Sequence, residues 1–324
     1  MTFPSCETLT MVHDCHSRIL PMQELVSQIA GNRLLRRHSR AGLLHVSGKD
    51  HFEWLQGIVT ADLKALPDRG FWGLMLQRNG KVRCEVIGIA TDSDMWLAVI
   101  GGELADVHKY LDSLIVMEDV DLDIHAEKSL WAIHRLTDDA PLLSASPADA
   151  HSQASLRWIG ERDQVFVISD PVESKWLAGL REAGLEPCED KTWEQFRVSA
   201  GLPKWSVDFT SQDTPHHAGL FGLAVATNKG CYIGQEVVCK VEMIGHVSQR
   251  LTRIRLDSVV GVAVGTEVHD GQTGESAGVV TSVAPSLSEQ HGWAIARVKS
   301  VLIDKHGLVQ VGPSRGQIVD MLVG

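Results

Sequence analysis

The sequence lacks what membrane and export proteins carry. No apolar run approaches the roughly 18 residues needed to cross a bilayer, and the first 30 residues lack a charged start followed by an apolar block. Glu7 and Asp14 also argue against a mitochondrial presequence, which is usually poor in acids. The expectation is a soluble, unexported protein with no membrane partner. It is cytoplasmic in a bacterium, or in the mitochondrial matrix if the source is eukaryotic. Cysteine pattern is absent too: the six cysteines, Cys6, Cys15, Cys84, Cys188, Cys231 and Cys239, are scattered with no C-x-x-C, which excludes a disulfide framework and a zinc knuckle and fits a reducing compartment. Positive charge is scarce. A formal net charge of -11 opposes a sequence-independent grip on nucleic acid, which needs clustered Lys and Arg. The one basic patch, "RLLRRHSR" with Arg33, Arg36, Arg37 and Arg40, is read as a solvated helix face.

What is present is globular: 44% hydrophobic and 22% charged residues over 324 positions, a length that suggests two or three domains. "HVSGKDHFEWLQGIVT" reads as a short amphipathic helix with Ser47 as N-cap. "FWGLMLQ" and "VRCEVIGIA" read as a hairpin turning at Asn79-Gly80, followed by the strand "MWLAVI" and a helix with Leu104, Val107, Leu111 and Leu114 on one face. After a loop near 137–155 come the strands "LRWIG" and "QVFVIS", then a helix capped by Asp170 and a helix capped by Thr192 that ends at Gly201. From Leu251 short runs separated by glycine turns indicate a small β-barrel. The fold class is α+β. An N-terminal extension is expected over 1–39, a two-halved α+β domain over 40–244 and the barrel over 245–324.

"NKGCYIGQE" places Cys231 between Gly230 and Gly234. If a helix starts after Gly234, its N-terminal N–H groups favour a thiolate at Cys231, aided by Lys229 if it faces inward. The spacing equally allows a buried structural cysteine in a helix-entry loop. His216, His217 and His246 lack a third ligand at known spacing, so no metal site is assigned. Trp72, Trp193 and Trp205 with Arg197 and Asp208 either line a pocket for a flat heteroaromatic ligand or fill the core.

The string "KGCYIGQE" resembles the signature of the YgfZ-type folate-binding proteins, relatives of the glycine-cleavage aminomethyltransferase, the T-protein. "LLHVSGKDHFEWLQGIVTADL", "RNGKVRCEVIGIA", "VMEDVDLDI", "FRVSAGLPKWSVDFTSQDTPHHAGL" and "GWAIARV" extend the resemblance over nearly all of 40–300 in the same order. It implies a tetrahydrofolate-binding domain of two intertwined halves around a central opening, with a C-terminal barrel. It also implies an accessory role in iron–sulfur cluster assembly or repair for clients that include tRNA-modifying enzymes. The partners implied are a reduced folate and iron–sulfur assembly or client proteins. Cys231 is then the reactive thiol or a transient contact to an iron–sulfur cluster, and Lys229 its companion. Gly230 and Gly234 shape the bend, and Arg197, Trp205, Asp208, Tyr232, Gln235 and Glu236 are the cofactor-binding candidates. The alternatives are a folate-dependent aminomethyl- or methyltransferase or demethylase, and a folate-free scaffold. T-proteins carry paired acids where this chain has Arg83-Cys84-Glu85, so the expectation is that no acid stands beside the folate. Ser199, His217 and Lys240 also depart from the family pattern.

Overall fold

The computed structural model describes residues 33–66, 68–135, 150–156, 163–245, 247–286, 291–319 and 321. The strand β1 (Arg33–Arg37) is followed by β2 (Ala41–Ser47), the helix α1 (His51–Gln56) and a 3-10 turn at Leu63–Ala65. The hairpin β3 (Gly70–Leu76) and β4 (Val82–Ala90) leads to β5 (Met95–Ile100), α2 (Leu104–Asp112) and β6 (Asp121–Ile124). A second group comprises β7 (Lys128–Arg135), β8 (Ala150–Leu156), β9 (Asp163–Ser169), α3 (Asp170–Glu182) and α4 (Asp190–Ala200). Next come α5 (Phe221–Ala224) and α6 (Gln235–Ile244). The C-terminal part holds β10 (Gln249–Leu256), β11 (Glu267–Asp270), β12 (Ser276–Pro285), β13 (Gly292–Lys299), α7 (Ser300–Ile303), β14 (Leu308–Val311) and β15 (Ser314–Val319).

The strands make a five-stranded sheet β3-β4-β5-β2-β6, a four-stranded sheet β1-β7-β9-β8 and a closed barrel β10-β13-β12-β11-β14-β15. Closure leaves the barrel no free edge. The shared core lies between the two open sheets, where Trp72, Ile87, Ile89, Leu34, Val165 and Val167 meet Phe196 of α4. Strand alternation decides which side chains reach it. On β1, Leu34 joins this core while Leu35 turns to the outer cluster with Phe166, Trp176 and Leu180 under α3. On β4, Ile87 and Ile89 face the shared core, Cys84 and Val86 face the opposite cluster, and Arg83 and Glu85 share the parity of the isoleucines.

Several local expectations change. The basic patch is not helical: it is β1, antiparallel to β7 from Arg33–Arg135 to Arg37–Trp131, and it falls within the stretch expected as an extension. β8 lies at 150–156, inside the expected loop, while most of "LRWIG" lies outside the described residues. Ser47 ends β2, and α1 takes Asp50 as its N-cap residue. The second-half helices start one to three residues earlier than their expected caps, with Ser169 and Glu189 at the N-cap positions. Gly201 does end α4 in the left-handed region at φ 73°. The hairpin does turn here, but only Gly80 has a positive φ, 75°; Asn79 does not, and the Gly80 amide donates to the Gln77 carbonyl at 2.9 Å in a loop longer than the two-residue turn expected.

Candidate functional site

Elements of the two open sheets and the helix α4 line a cavity of about 850 Å³, to which the barrel contributes no lining residue among the described residues. Its walls come from β1 and the following turn, from Arg83 and Glu85 on β4, from Ile100 to Glu103 after β5, from α4 and from the segment 202–206. The volume lies in the range of small-molecule sites, roughly 300–1,000 Å³.

Glu85 carries the chemistry of the wall. Its carboxyl is 5% exposed and accepts a hydrogen bond from Trp72 Nε1 at 3.3 Å. Burial pushes the acid up to about 8, with the Trp72 bond pulling the other way, so the group is a neutral acid at pH 7. Beside it the Arg83 guanidinium lies 3.7 Å from the Tyr110 ring, and its buried Nε has no hydrogen-bond partner. The sequence reading missed this acid. The available signal is a single carboxylate at inward parity, beside Arg83, in a strand whose other residues are apolar.

Arg197 and Trp205 line the cavity, Trp72 and Asp208 do not, and Asp208 pairs with Arg197 at 2.9 Å. The anion-pairing role expected for Arg197 is already filled within the protein. Its Nε donates to Glu194 at 2.7 Å, Nη1 to Asp208 at 2.9 Å and to the Leu202 carbonyl at 3.3 Å, and Nη2 to Ser282 Oγ at 2.9 Å. Asp208 is equally committed, accepting from Ser282 at 2.7 Å, Thr281 at 2.5 Å and the Lys204 amide at 2.8 Å. This network ties α4 to the barrel strand β12 and fixes the wall. Trp205 packs flat on Gly101: a Cβ there would sit 2.4 Å from the indole, and φ is +90°. Trp193 stacks on His134 at 5.2 Å and forms the wall with His38, whose basicity burial drives well down, helped by His134 and Arg36.

The motif lies elsewhere. Cys231, Lys229, Tyr232, Gln235 and Glu236 are not among the cavity-lining residues. Lys229 does not attend the thiol. It is 9% exposed and its Nζ donates to the carbonyls of Gln56, Val59 and Ala61 at 2.7, 2.7 and 2.6 Å, which uses all three N–H bonds of an ammonium. Burial lowers it to about 8, with Asp62 opposing. Tyr232 is 7% exposed and burial pushes its hydroxyl up to about 12, with Cys239 adding to the rise. The Ile233 amide donates to the Gly57 carbonyl at 3.1 Å. Gly234, φ +83°, caps α6 so close to the hairpin that a Cβ would lie 2.5 Å from the Gln77 carbonyl. Gly230 does not share that role: its φ is not positive and nothing lies within 4 Å of an added Cβ. Glu236 is exposed and paired with Lys240 at 2.6 Å. Between the two anchors Cys231 is exposed, which removes the buried structural reading; Cys239 is exposed as well.

Ser199 is fully buried with an unpartnered Oγ, and His217 Nδ1 contacts Thr214 Oγ1 at 2.8 Å. His216 sits over Phe221 at 4.2 Å and pairs with Glu242 at 3.2 Å, whereas His246 lies outside the described residues. Among the described residues no group of three or more His, Cys, Asp or Glu is arranged to hold a metal ion, and no helix is long and apolar enough to cross a membrane.

No protein-family model matches the chain. It is 25% identical over 305 residues to an aminomethyltransferase of Shouchella clausii, covering 86% of this chain and 82% of that protein. It is 24% identical over 215 residues to the tRNA-modifying protein YgfZ of Aliivibrio fischeri strain MJ11, covering 63% of this chain and 65% of that protein. For YgfZ of Vibrio vulnificus strain CMCP6 the identity is 24% over 249 residues, covering 73% of each. The crystal structure of the glycine cleavage system aminomethyltransferase T from Bartonella henselae superposes with a TM-score of 0.74 at 17% identity, covering 94% of this chain and 89% of that one. With its closed C-terminal barrel and its sequence likeness to both groups, the chain has a YgfZ-type, T-protein-like fold.

Proposed function

We propose that the protein binds a reduced folate in the cavity and acts as an accessory factor in iron–sulfur cluster assembly or repair, serving clients that include tRNA-modifying enzymes. The observation that carries the folate part is Glu85: a buried, uncharged carboxyl on the wall of a cavity of about 850 Å³ that Trp193 and Trp205 also line. The residues fit such a ligand. Glu85 meets the polar edge of a flat heterocycle, Trp205 and Trp193 offer ring faces, and Arg83 keeps a donor free. Arg197 and Asp208 hold the wall. The folate, when bound, supplies one-carbon carrier chemistry. The likeness to proteins named tRNA-modifying protein YgfZ supports the accessory role.

Cys231 is the group offered to a partner. It is exposed on a segment anchored by Lys229 and Gly234 and outside the cavity lining, so it meets a macromolecule rather than the folate. An iron–sulfur cluster at this thiol is cargo in transit.

Glu85 also favours a second reading. An acid does stand on the cavity wall, so a folate-dependent aminomethyl or methyl transfer has a proton donor available. The likeness to aminomethyltransferases over 86% of the chain supports it. Two assays separate the readings. In a deletion strain, wild type restores iron–sulfur enzyme activity and Cys231→Ala does not under the accessory reading. Conversion of tetrahydrofolate to methylene-tetrahydrofolate with an aminomethyl or methylamine donor, abolished in Glu85→Gln and retained in Cys231→Ala, establishes transfer instead.

A further inference from the structure

The turn between α2 and β6 exposes two large apolar side chains, Val116 at 81% and Met117 at 92%. It is not a loose loop. The Glu118 carboxylate accepts from the amides of Val116 and Met117 at 2.9 and 3.0 Å, which together with its own amide hold that acid below the usual range. Asp50 Oδ2 accepts from the Asp119 amide at 2.8 Å, and the Asp50 amide donates to the Asp119 carbonyl at 3.1 Å. Gly48, φ +95°, lies against that same carbonyl: an added Cβ would fall 2.2 Å from it. On the inner side Leu114, Ile115 and Val120 pack on the core beneath. The protein thus fixes two anchors in place before any contact is made, which reduces the ordering cost of binding.

Charge states what covers them. Residues 112–123 contain Asp112, Glu118, Asp119, Asp121 and Asp123, all exposed, and no Lys or Arg; Lys49 reaches Asp119 at 3.2 Å. Phosphate-bearing surfaces, whether anionic lipid or RNA, are repelled by such a rim. A protein with lysine and arginine around an apolar pocket is attracted by it and gains the burial of Val116 and Met117.

We propose that the Val116–Met117 turn is a docking knob for a protein partner that presents an apolar pocket rimmed by Lys and Arg. The knob is independent of the folate reading, since neither residue lines the cavity. Beside it β6 pairs only with β2 among the described residues, so the partner has a strand edge next to the anchors.

The test uses the full chain and short labelled helical peptides with one leucine face and one charged face. The lysine-bearing peptide binds wild type, and binding falls at least tenfold in Met117→Asp and several-fold in Asp121→Lys/Asp123→Lys. Hydrogen-exchange protection on binding centres on residues 113–124. All variants keep the wild-type melting temperature, because the altered side chains are exposed. Lysine-peptide binding that Met117→Asp leaves unchanged, or equal binding of a glutamate-bearing peptide, overturns the proposal. So does binding of anionic vesicles or RNA that Met117→Asp removes. Self-association lost in Met117→Asp overturns it too, by placing a second copy on the knob.

Discussion

The cavity and the motif segment treat charge in opposite ways. Around the cavity, three cations are paired with carboxylates: Arg36 with Asp190, Lys204 with Glu194, and Arg197 with Glu194 of its own helix and with Asp208. The buried acid on the wall, Glu85, is kept neutral by burial, while Glu103 at the edge is exposed. In the motif segment the buried cation has no carboxylate in contact and is held by three backbone carbonyls. One arrangement makes a braced cavity wall, which the proposal gives to a small ligand. The other makes a rigid mount for an exposed thiol. The most recognisable string in the chain therefore lies outside the cavity lining, although both rest on the β3–β4 hairpin: Glu85 projects from its second strand, and Gly234 presses on its turn.

The comparison can be broken from either side. Asp208→Ala leaves the buried Arg197 guanidinium with Glu194 as its one remaining carboxylate and lowers stability by about 3–5 kcal/mol in urea unfolding. Lys229→Met leaves three carbonyls without their shared donor and costs about 2–4 kcal/mol in the same measurement. Gly234→Ala, strained by φ and by the Gln77 carbonyl, costs about 1–3 kcal/mol, whereas Gly230→Ala stays within about 0.5 kcal/mol. If the two glycines respond alike, the mount is not built as described.

Glu85 gives a pH test with a definite sign. In the unfolded chain a glutamate loses its proton near pH 4.3, while in the folded protein Glu85 keeps it up to about 8. The folded state binds more protons between these values, so the contribution of Glu85 to stability is full below about pH 4.3 and is lost as pH rises through about 8. Unfolding midpoints measured across that window fall less steeply with pH in Glu85→Gln than in wild type. The smallest effect is at the thiol: Cys231→Ala changes stability by no more than about 0.5 kcal/mol, as expected for an exposed side chain.

Much of this architecture is legible in the sequence where local chemistry is decisive. Asn79-Gly80 marks the hairpin, Gly201 ends α4, and glycine-punctuated runs mark the barrel. Legibility fails where tertiary pairing decides. "RLLRR" alternates with no clean period because Leu34 and Leu35 are buried on opposite faces of a two-sided sheet, so it reads as a charged helix face. "AHSQASL" is too polar to announce a strand and is one through its pairing with β9. At the site, Cys231 and the cavity tryptophans are visible from residue type and motif. Lys229 is misplaced because nothing local says that its partners are carbonyls of α1 and the turn after it, some 170 positions away. Glu85 is missed because its meaning comes from strand parity and burial.

The central claim is that a folate cavity and an independent external thiol coexist in one chain. Anaerobic calorimetric titration of tetrahydrofolate into wild type, Glu85→Gln and Cys231→Ala tests it most directly. The account predicts saturable binding to wild type, the same affinity in Cys231→Ala and at least tenfold weaker binding in Glu85→Gln. Absence of binding to folded wild type, or binding lost in Cys231→Ala and kept in Glu85→Gln, would contradict it.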